Sequence, residues 1–502
     1  MKHFFLSSLV MIIFFGPTVA SSPDPRLPTI GESASLYLSP EEERRLGDAF
    51  MRDLRRSLTF VDDPVVNDYL RSLGYQIVAA SDIPTQNFDF FVVNDQTINA
   101  FAGPGGHIGV NIGLILATDS ESELAAVIAH EVSHVSQHHL ARMVEISEHM
   151  SIPSIAALLA AIVIASQNGQ AGEAAIVAAA AGTTQIQLDF LRGNEQEADR
   201  VGIQSLQRAG FDPRAMVGFF ERLHKSSRYY DLGALPEFLR DHPVTESRIA
   251  DARNRTEQFS YRQRQDSLAY HLIRARLKVR ILTSPAQELR EMKQALNNGS
   301  YRNAAAARYA YALALIANHQ PETARVEVER LLAADPERIE YLLAWADIEI
   351  ASGNTANALT TYRRIQHLYP NNPAVTVNEA QALLQADRPQ EARDLLQGFM
   401  RDHLLEPSWY KLLARAEGAA GNIPASREAV AQYLYLTGET RTAIQELRKI
   451  LGLSNVDFYM SSRIDARIKE LEEELAAEKE RIKKNINLRI GQLELIIAAR
   501  MV

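Results

Sequence analysis

His130, Glu131, Val132, Ser133 and His134 follow one another inside a run with helical periodicity. Two imidazoles four residues apart project from one face of an α-helix, separated by roughly 40° of turn. Both can reach a single tetrahedral metal ion, with Glu131 pointing towards the coordination position left open. The chemistry served by this spacing is activation of a water molecule for attack on a carbonyl. Two exposed histidines and a surface glutamate on an ordinary helix would show the same five letters, so the reading turns on a third ligand.

A catalytic zinc needs three protein ligands and one open position. A histidine ten residues after His130, with glycine at the seventh, is one source, but those positions hold Leu140 and Gln137, which excludes it. The other source is a downstream carboxylate at a helix start. Glu195, Gln196, Glu197, Ala198 and Asp199 lie in a run that stops at Gly210. Glu195 and Asp199 share a face, so Glu195 can ligate while Asp199 accepts a hydrogen bond from a ligand imidazole. The alternative for Glu195 is a solvated acidic first turn that complements the helix dipole. Glu197 lies off that face and reads as structural. His138 and His139 extend the motif helix, where surface or orienting roles fit them better than ligation.

Caps and periodicity outline the elements that must carry these residues. Ser39, Pro40, Glu41 and Glu42 form a capping box with proline at the first helical position, predicting a helix through about Leu58; Asp63 and Pro64 open another to about Ala80. Phe88 to Asn94 is aromatic and β-branched and reads as a buried strand. A second extended stretch begins at Ile98, turns at Gly103, Pro104, Gly105 and Gly106, and continues through His107 to Asn111. Ser120 and Glu123 then cap the motif helix, expected to run to about Glu145. This is a mixed α+β arrangement, mainly helical with a small sheet, rather than alternating βαβ units. Ser154–Ser166 and Ala174–Gly182 are strongly apolar but each too short to cross a bilayer. A pair of buried or flap-forming helices beside the motif helix is expected, with a lid or membrane-facing role as the sharper alternative.

From Arg302 a repeat takes over. Ala312, Ala346, Ala380 and Ala414 fall 34 residues apart; Ala324, Ala358, Ala392 and Ser426 keep the same interval, as do Pro336 and Pro370. A small residue where two helices cross, with proline at the following turn, is the tetratricopeptide signature. Leu404 replaces the expected proline in the third unit, and Pro407 resumes the turn late. Each helix pair buries its apolar face only by stacking on its neighbours, leaving a concave groove. The organisation expected is a signal peptide over 1–20, a metal-binding domain over 21–261, a helical connector over 262–301, about four repeats over 302–455, and a charged capping helix over 456–502.

With 502 residues, 46% of them hydrophobic, the chain can bury a sizeable core in two or more domains. The formal net charge of −9, with no long basic stretch, argues against nucleic acid as a partner. Cysteine is absent, which excludes disulfides, thiolate ligands and a nucleophilic thiol. Lys2, the apolar run Phe4 to Phe15, and Thr18, Val19 and Ala20 fit a secretory signal cleaved near Ala20; the run is short for an uncleaved anchor. Export of this bacterial type points to the periplasm.

The motif of His130, Glu131 and His134, followed by Glu195, Ala198 and Asp199, resembles the peptidase family that includes the prenyl-protein endopeptidases and HtpX-like heat-shock proteases. Asn99, Ala100, Phe101 and Ala102, with Pro104, Gly105, Gly106, Gly113 and Leu114, resemble that family's edge strand, and His242, Pro243, Arg248 and Ile249 its later His-Pro motif. Ser133 departs from it, standing where the family commonly has glycine. The resemblance implies a zincin-like metallopeptidase domain followed by an all-α repeat solenoid. It further implies that His130, His134 and Glu195 bind one Zn²⁺ per chain, that Glu131 is the general base, and that Asp199 orients a ligand. His242 would contact the zinc as a latch, or else serve as a packing or capping residue. Arg248 would neutralise a carboxylate or stabilise an oxyanion. Asn99 to Ala102 could hold an extended substrate by main-chain pairing. With a signal peptide and repeats appended, the resemblance implies a periplasmic zinc-dependent endopeptidase with a chaperone-like role in quality control and assembly of outer-membrane β-barrel proteins. Unfolded or misassembled outer-membrane proteins would be its substrates, the β-barrel assembly machinery would dock on the repeats, and peripheral membrane contact is a further option. The alternative is a repeat-based chaperone or scaffold with little proteolysis.

Overall fold

The computed structural model describes residues 39–83, 87–146, 159–160, 163–164, 185–227, 238–260, 264–401, 406–454 and 456–477. The expected signal peptide over 1–20, most of the apolar stretches between 154 and 182, Leu404, and the end of the expected capping helix lie outside the described residues.

Helix α1 (Pro40–Ser57) begins at a closed capping box: Glu42 N–H donates to the Ser39 hydroxyl at 3.3 Å, and Ser39 N–H to the Glu42 carboxylate at 2.9 Å. At the start of α2 (Pro64–Ala79) the Asp63 carboxylate accepts from Val65 and Val66 N–H at 3.1 and 3.4 Å. Both helices open on a proline, which has no N–H to leave unpaired. Strands β1 (Asp89–Val93), β2 (Ala100–Gly103) and β3 (His107–Asn111) follow, in the spatial order β1-β3-β2. β1 is parallel to β3 and β2 antiparallel, which leaves β2 at an edge. Gly105 and Gly106 make the turn between β2 and β3 at φ 75° and 78°, a backbone region glycine enters without a Cβ clash. Phe101 pairs with Gly109 across the ladder and lays its ring over that bare backbone: a Cβ there would come within 2.3 Å of the ring.

After α3 (Ile112–Ala117) comes α4 (Glu121–Ser136), capped by the Ser120 hydroxyl accepting from Glu123 N–H at 3.3 Å. Every residue of α4 except His134 is buried, so it is the central helix of this unit. The expectation that it runs to about Glu145 is corrected. His138 takes a left-handed φ of 52°, which an α-helix cannot propagate, and α5 (His139–Ile146) starts afresh. Helix α6 (Gln185–Arg208) packs on α4 through Gly202, where a Cβ would sit 3.2 Å from the main chain of Ala129 and His130. Backbone thus touches backbone at the motif. Because α6 begins at Gln185, Glu195 and Asp199 lie in mid-helix, and the first-turn alternative for Glu195 is corrected too. The helix stops at Gly210 with φ 82°. Helix α7 (Arg214–Ser227), the single turn α8 (Phe238–Asp241) and α9 (Glu246–Thr256) complete the surroundings.

Helices α10 (Leu268–Arg280) and α11 (Pro285–Asn298) lead into the repeats, and α10 is no spacer: Tyr270, Leu272, Ile273, Ala275 and Leu277 are buried. The helix pairs are α12 (Ala304–Ala317) with α13 (Pro321–Ala334), α14 (Ile339–Ala351) with α15 (Thr355–Leu368), α16 (Pro373–Gln385) with α17 (Pro389–Met400), and α18 (Pro407–Ala419) with α19 (Ile423–Leu436). Helix α20 (Thr440–Leu451) then packs on a helix over 458–477 through Ile444, Leu447, Ile464, Ile468 and Leu471. The phased alanines are buried at the crossings. Within each pair the turn is left-handed, at His319, Gly353, Asp387 and Gly421, recurring at the repeat interval.

One buried cluster spans both units, running from Val66, Leu70 and Leu73 of α2 to Leu342 of α14, Val375 of α16 and Trp409 of α18. Polar contacts cross the same boundary: Arg71 to Glu406 at 2.8 Å, Asn372 to Asp68 at 3.0 Å, and Tyr309 to Arg276, which also holds Asp63. Along these residues α2 packs against the first helices of the repeat pairs.

Asp347 of α14 is partly buried near this boundary. Burial, helped by Asp63 and opposed by Arg276, lifts its carboxyl from 3.8 to about 6. A carboxyl raised in the folded state binds its proton more tightly than in the unfolded chain. Stability is therefore lost as pH climbs from 3.8 through about 6. Asp347→Asn is expected to stabilise the chain by on the order of 1–2 kcal/mol at pH 7.5 and to change little below pH 4. Denaturant midpoints at the two pH values check this; an equal gain at both would contradict it.

Candidate active site

Helix α4 presents His130 and His134, α6 sets Glu195 and Asp199 opposite them, and His242 follows directly on α8. One ligand-type atom from each of His130, His134, Glu195 and His242 lies within 4.8 Å of the other three. His130 Nε2 is 3.0 Å from His134 Nε2 and 3.3 Å from His242 Nδ1. Glu195 reaches His134 Nε2 at 3.3 Å, His130 Nε2 at 3.5 Å and His242 Nδ1 at 3.1 Å. Three imidazole nitrogens and a carboxylate converging this closely are a nitrogen-and-oxygen donor set suited to a small divalent metal. Glu131 is fully buried, and neither of its oxygens accepts a hydrogen bond among the described residues. His242 Nε2 faces one of them at 3.6 Å. A buried carboxylate without a hydrogen-bond partner among the described residues thus stands next to that donor set.

Asp199 Oδ1 sits 3.0 Å from His130 Nδ1, behind the face this ring turns to His134 and Glu195. Arg248 grips Asp199 with two donors, Nε at 2.7 Å and Nη2 at 2.8 Å, and its Nη1 reaches Glu195 at 2.8 Å and the Pro243 carbonyl at 2.9 Å. Of the two roles expected for Arg248, its contacts match neutralisation of carboxylates. On the other side, His139 Nδ1 lies 2.8 Å from His134 Nδ1, and Glu197 joins His139 to Arg142. The sequence suggested a surface or orienting role for His139 and a structural one for Glu197, but not their contact with His134; the left-handed break at His138 that brings them there carries no sequence mark as glycine would.

Charge and burial act against each other here. Burial opposes ionisation of Glu195, yet His242, His130 and His134 hold its carboxyl well below the ordinary carboxylate range. Burial likewise opposes charge on His130, but Asp199 and Glu195 outweigh it and raise the imidazole to about 10. His134 is lowered by burial and by its neighbour His130. His139 is pushed down to about 2 by burial and by its neighbours His134 and Arg142, so its imidazole is neutral.

A cavity of about 280 Å³ opens beside these groups, walled by Phe50, Phe101, Leu140, Leu159 and Val163 along with Glu131, His134 and Glu195. Ala102 and Gly103 of the edge strand line it too, while Ala100 is buried. Asn99, fully buried just ahead of β2, accepts from Ala100 N–H at 2.9 Å. Leu159, Ala160, Val163 and Ile164, the described part of the apolar stretches, pack with Phe50, Phe101 and Leu140.

The fold and the site together are those of a metal-dependent peptidase bearing helical repeats. Residues 64–256 match Peptidase family M48, and residues 349–416 match the tetratricopeptide repeat. The chain is 35% identical over 474 residues, 94% of its length and 96% of the relative's, to the beta-barrel assembly-enhancing protease of Escherichia coli (strain K12). It is 35% identical over 445 residues to the protein of that name from Yersinia pestis, covering 89% of this chain and 91% of the relative. The mitochondrial metalloendopeptidase OMA1 of Schizosaccharomyces pombe is 30% identical over 181 residues, 36% of this chain and 50% of that one. The chain belongs to peptidase family M48 and is a metalloendopeptidase.

Proposed function

We propose that the chain is a periplasmic zinc-dependent endopeptidase with a chaperone-like part in quality control and assembly of outer-membrane β-barrel proteins, binding unfolded or misassembled barrels and docking on the assembly machinery through its repeats. The observation that carries the reading is the convergence of His130, His134 and Glu195 around one point, with the unpartnered Glu131 carboxylate beside it. The substrate class rests on the beta-barrel assembly-enhancing proteases that align along nearly the whole chain, and on the repeat unit. The periplasm is supported by the signal-like residues 1–20. Among the described residues no helix is long and apolar enough to cross a membrane.

His130, His134 and Glu195 would hold one Zn²⁺. When bound, the metal supplies Lewis acidity at that point. Glu131 takes the proton of the attacking water and delivers it to the leaving amine. Asp199 and Arg248 keep His130 and Glu195 in place, so that the donors meet without rearrangement. β2 offers its edge to an extended segment, which an unfolded chain can supply and a closed barrel cannot. His242 occupies the fourth donor position and faces Glu131, where water and the scissile carbonyl must enter, so in this arrangement it acts as a latch.

Incubation of the mature chain with a urea-unfolded outer-membrane β-barrel protein should give cleavage that stops on chelation and resumes with zinc. The same barrel folded in detergent should survive. His242→Ala is expected to cleave severalfold faster than wild type, because the entry is no longer filled. Equal cleavage of folded and unfolded barrel would sink the substrate reading, and a slower His242→Ala would sink the latch.

A further inference from the structure

We infer that His139 and Glu197 form a positioning relay that holds the His134 imidazole in register for the metal. The inference rests on the reading of His134 as a ligand through Nε2, the atom it turns towards His130 and Glu195. With Nε2 committed, the one proton of the neutral ring sits on Nδ1, which must donate. His139 Nδ1 lies 2.8 Å away, the rings standing at 81° with centroids 4.8 Å apart, so it is the acceptor. That places the His139 proton on Nε2, which faces Glu197 Oε2 at 3.3 Å. Glu197 Oε2 also accepts from Arg142 Nη2 at 2.7 Å. One set of tautomers gives each nitrogen of His134 and His139 a role. His130 reaches the same end directly, through Asp199 at 3.0 Å. The two imidazoles are thus steadied by different means, one by a carboxylate and one by a carboxylate acting through a second imidazole.

The backbone supplies an independent observation. On a continuous helix, residues 134 and 139 would lie roughly 140° apart around the axis and could not meet. They meet because His138 turns left-handed at φ 52°, breaking α4 from α5 and swinging His139 back. A non-glycine residue in that region is strained, and Arg142 Nη2 ties down the break by donating to the Gln137 carbonyl at 2.8 Å. His139 is 5% exposed, so water does not compete for the bond to His134.

The test compares the full mature chain with His139→Ala and His139→Asn, whose side-chain oxygen can stand in for Nδ1 as acceptor. Zinc affinity is read by chelator competition, and the Co²⁺-loaded visible spectrum reports ligand geometry. His139→Ala should weaken zinc binding by roughly 10- to 100-fold and alter the Co²⁺ bands, whereas His139→Asn should recover most of both. His138→Gly, which adopts the same turn without strain, should bind zinc as wild type does. Unchanged affinity and spectrum in His139→Ala overturn the relay, as does a His139→Asn variant no better than His139→Ala. A wild-type chain that binds no zinc at all would remove the ligand reading, and this inference with it; a zinc-replete wild type beside an indifferent His139→Ala overturns the relay alone.

Discussion

Glu131→Gln should bind zinc as tightly as wild type and cleave an unfolded substrate slower by on the order of 10³-fold. The amide is isosteric with the carboxylate, and none of the four converging donors belongs to Glu131, so the metal site is left as it was. What disappears is the group that accepts a proton. Both carboxylate oxygens are buried without a hydrogen-bond partner among the described residues, so no neighbour is placed to substitute for them. His242 stands 3.6 Å from one of them; burial opposes its charge, but Glu195 and Glu131 raise its affinity for a proton, so it is a poor stand-in as the base. Turnover of a fluorogenic peptide alongside zinc content checks the expectation. A variant that retains a tenth of wild-type turnover would contradict it. If Glu131→Gln is inert as a protease yet still relieves an outer-membrane assembly defect, the repeat-based scaffold alternative gains at the expense of proteolysis.

A chain ending at residue 301 should fail to fold, although it retains every residue of the site. Its loss would expose Val66, Leu70 and Leu73 of α2, which are buried in the cluster shared with Leu342, Val375 and Trp409. Each large aliphatic side chain returned to water costs about 1.5–3 kcal/mol, and a domain's whole stability is only about 5–15 kcal/mol. Arg71 and Asp68 would lose Glu406 and Asn372, and Arg276 would lose Tyr309. Soluble yield, thermal midpoint and resistance to a mild protease measure the outcome. A truncated chain that melts within a few degrees of the intact one would show that the units fold independently and that the repeats serve only as a dock.

What could be read from the letters alone follows from how local each signal is. The caps at Ser39, Asp63 and Ser120 satisfy main-chain donors two or three residues away, so they appear in the sequence and recur in the structure. The repeat was legible because a helix crossing admits only a small side chain, which phases the alanines. Its turns were half hidden: two of the four left-handed positions hold glycine, but the others hold His319 and Asp387, which tolerate that region without announcing it. The same disguise at His138 concealed the break in the motif helix, and with it the contact between His139 and His134. Gly202 was silent for another reason. A glycine inside a helical pattern is ambiguous until the neighbouring backbone is seen to touch it. Glu195 was taken to open a helix, whereas α6 begins at Gln185 and places it in mid-helix. Long-range coverage of α2 by the repeats leaves no local trace at all.

The most direct measurement is the zinc content of the purified full chain beside that of Glu195→Gln, determined by mass spectrometry of the metal after exhaustive dialysis. One zinc per chain in the wild type, and its loss or marked weakening when the carboxylate becomes an amide, is expected if two imidazoles of α4 and a carboxylate of α6 hold a common ion. A wild type without metal, or a Glu195→Gln variant that keeps its zinc undiminished, would contradict that arrangement.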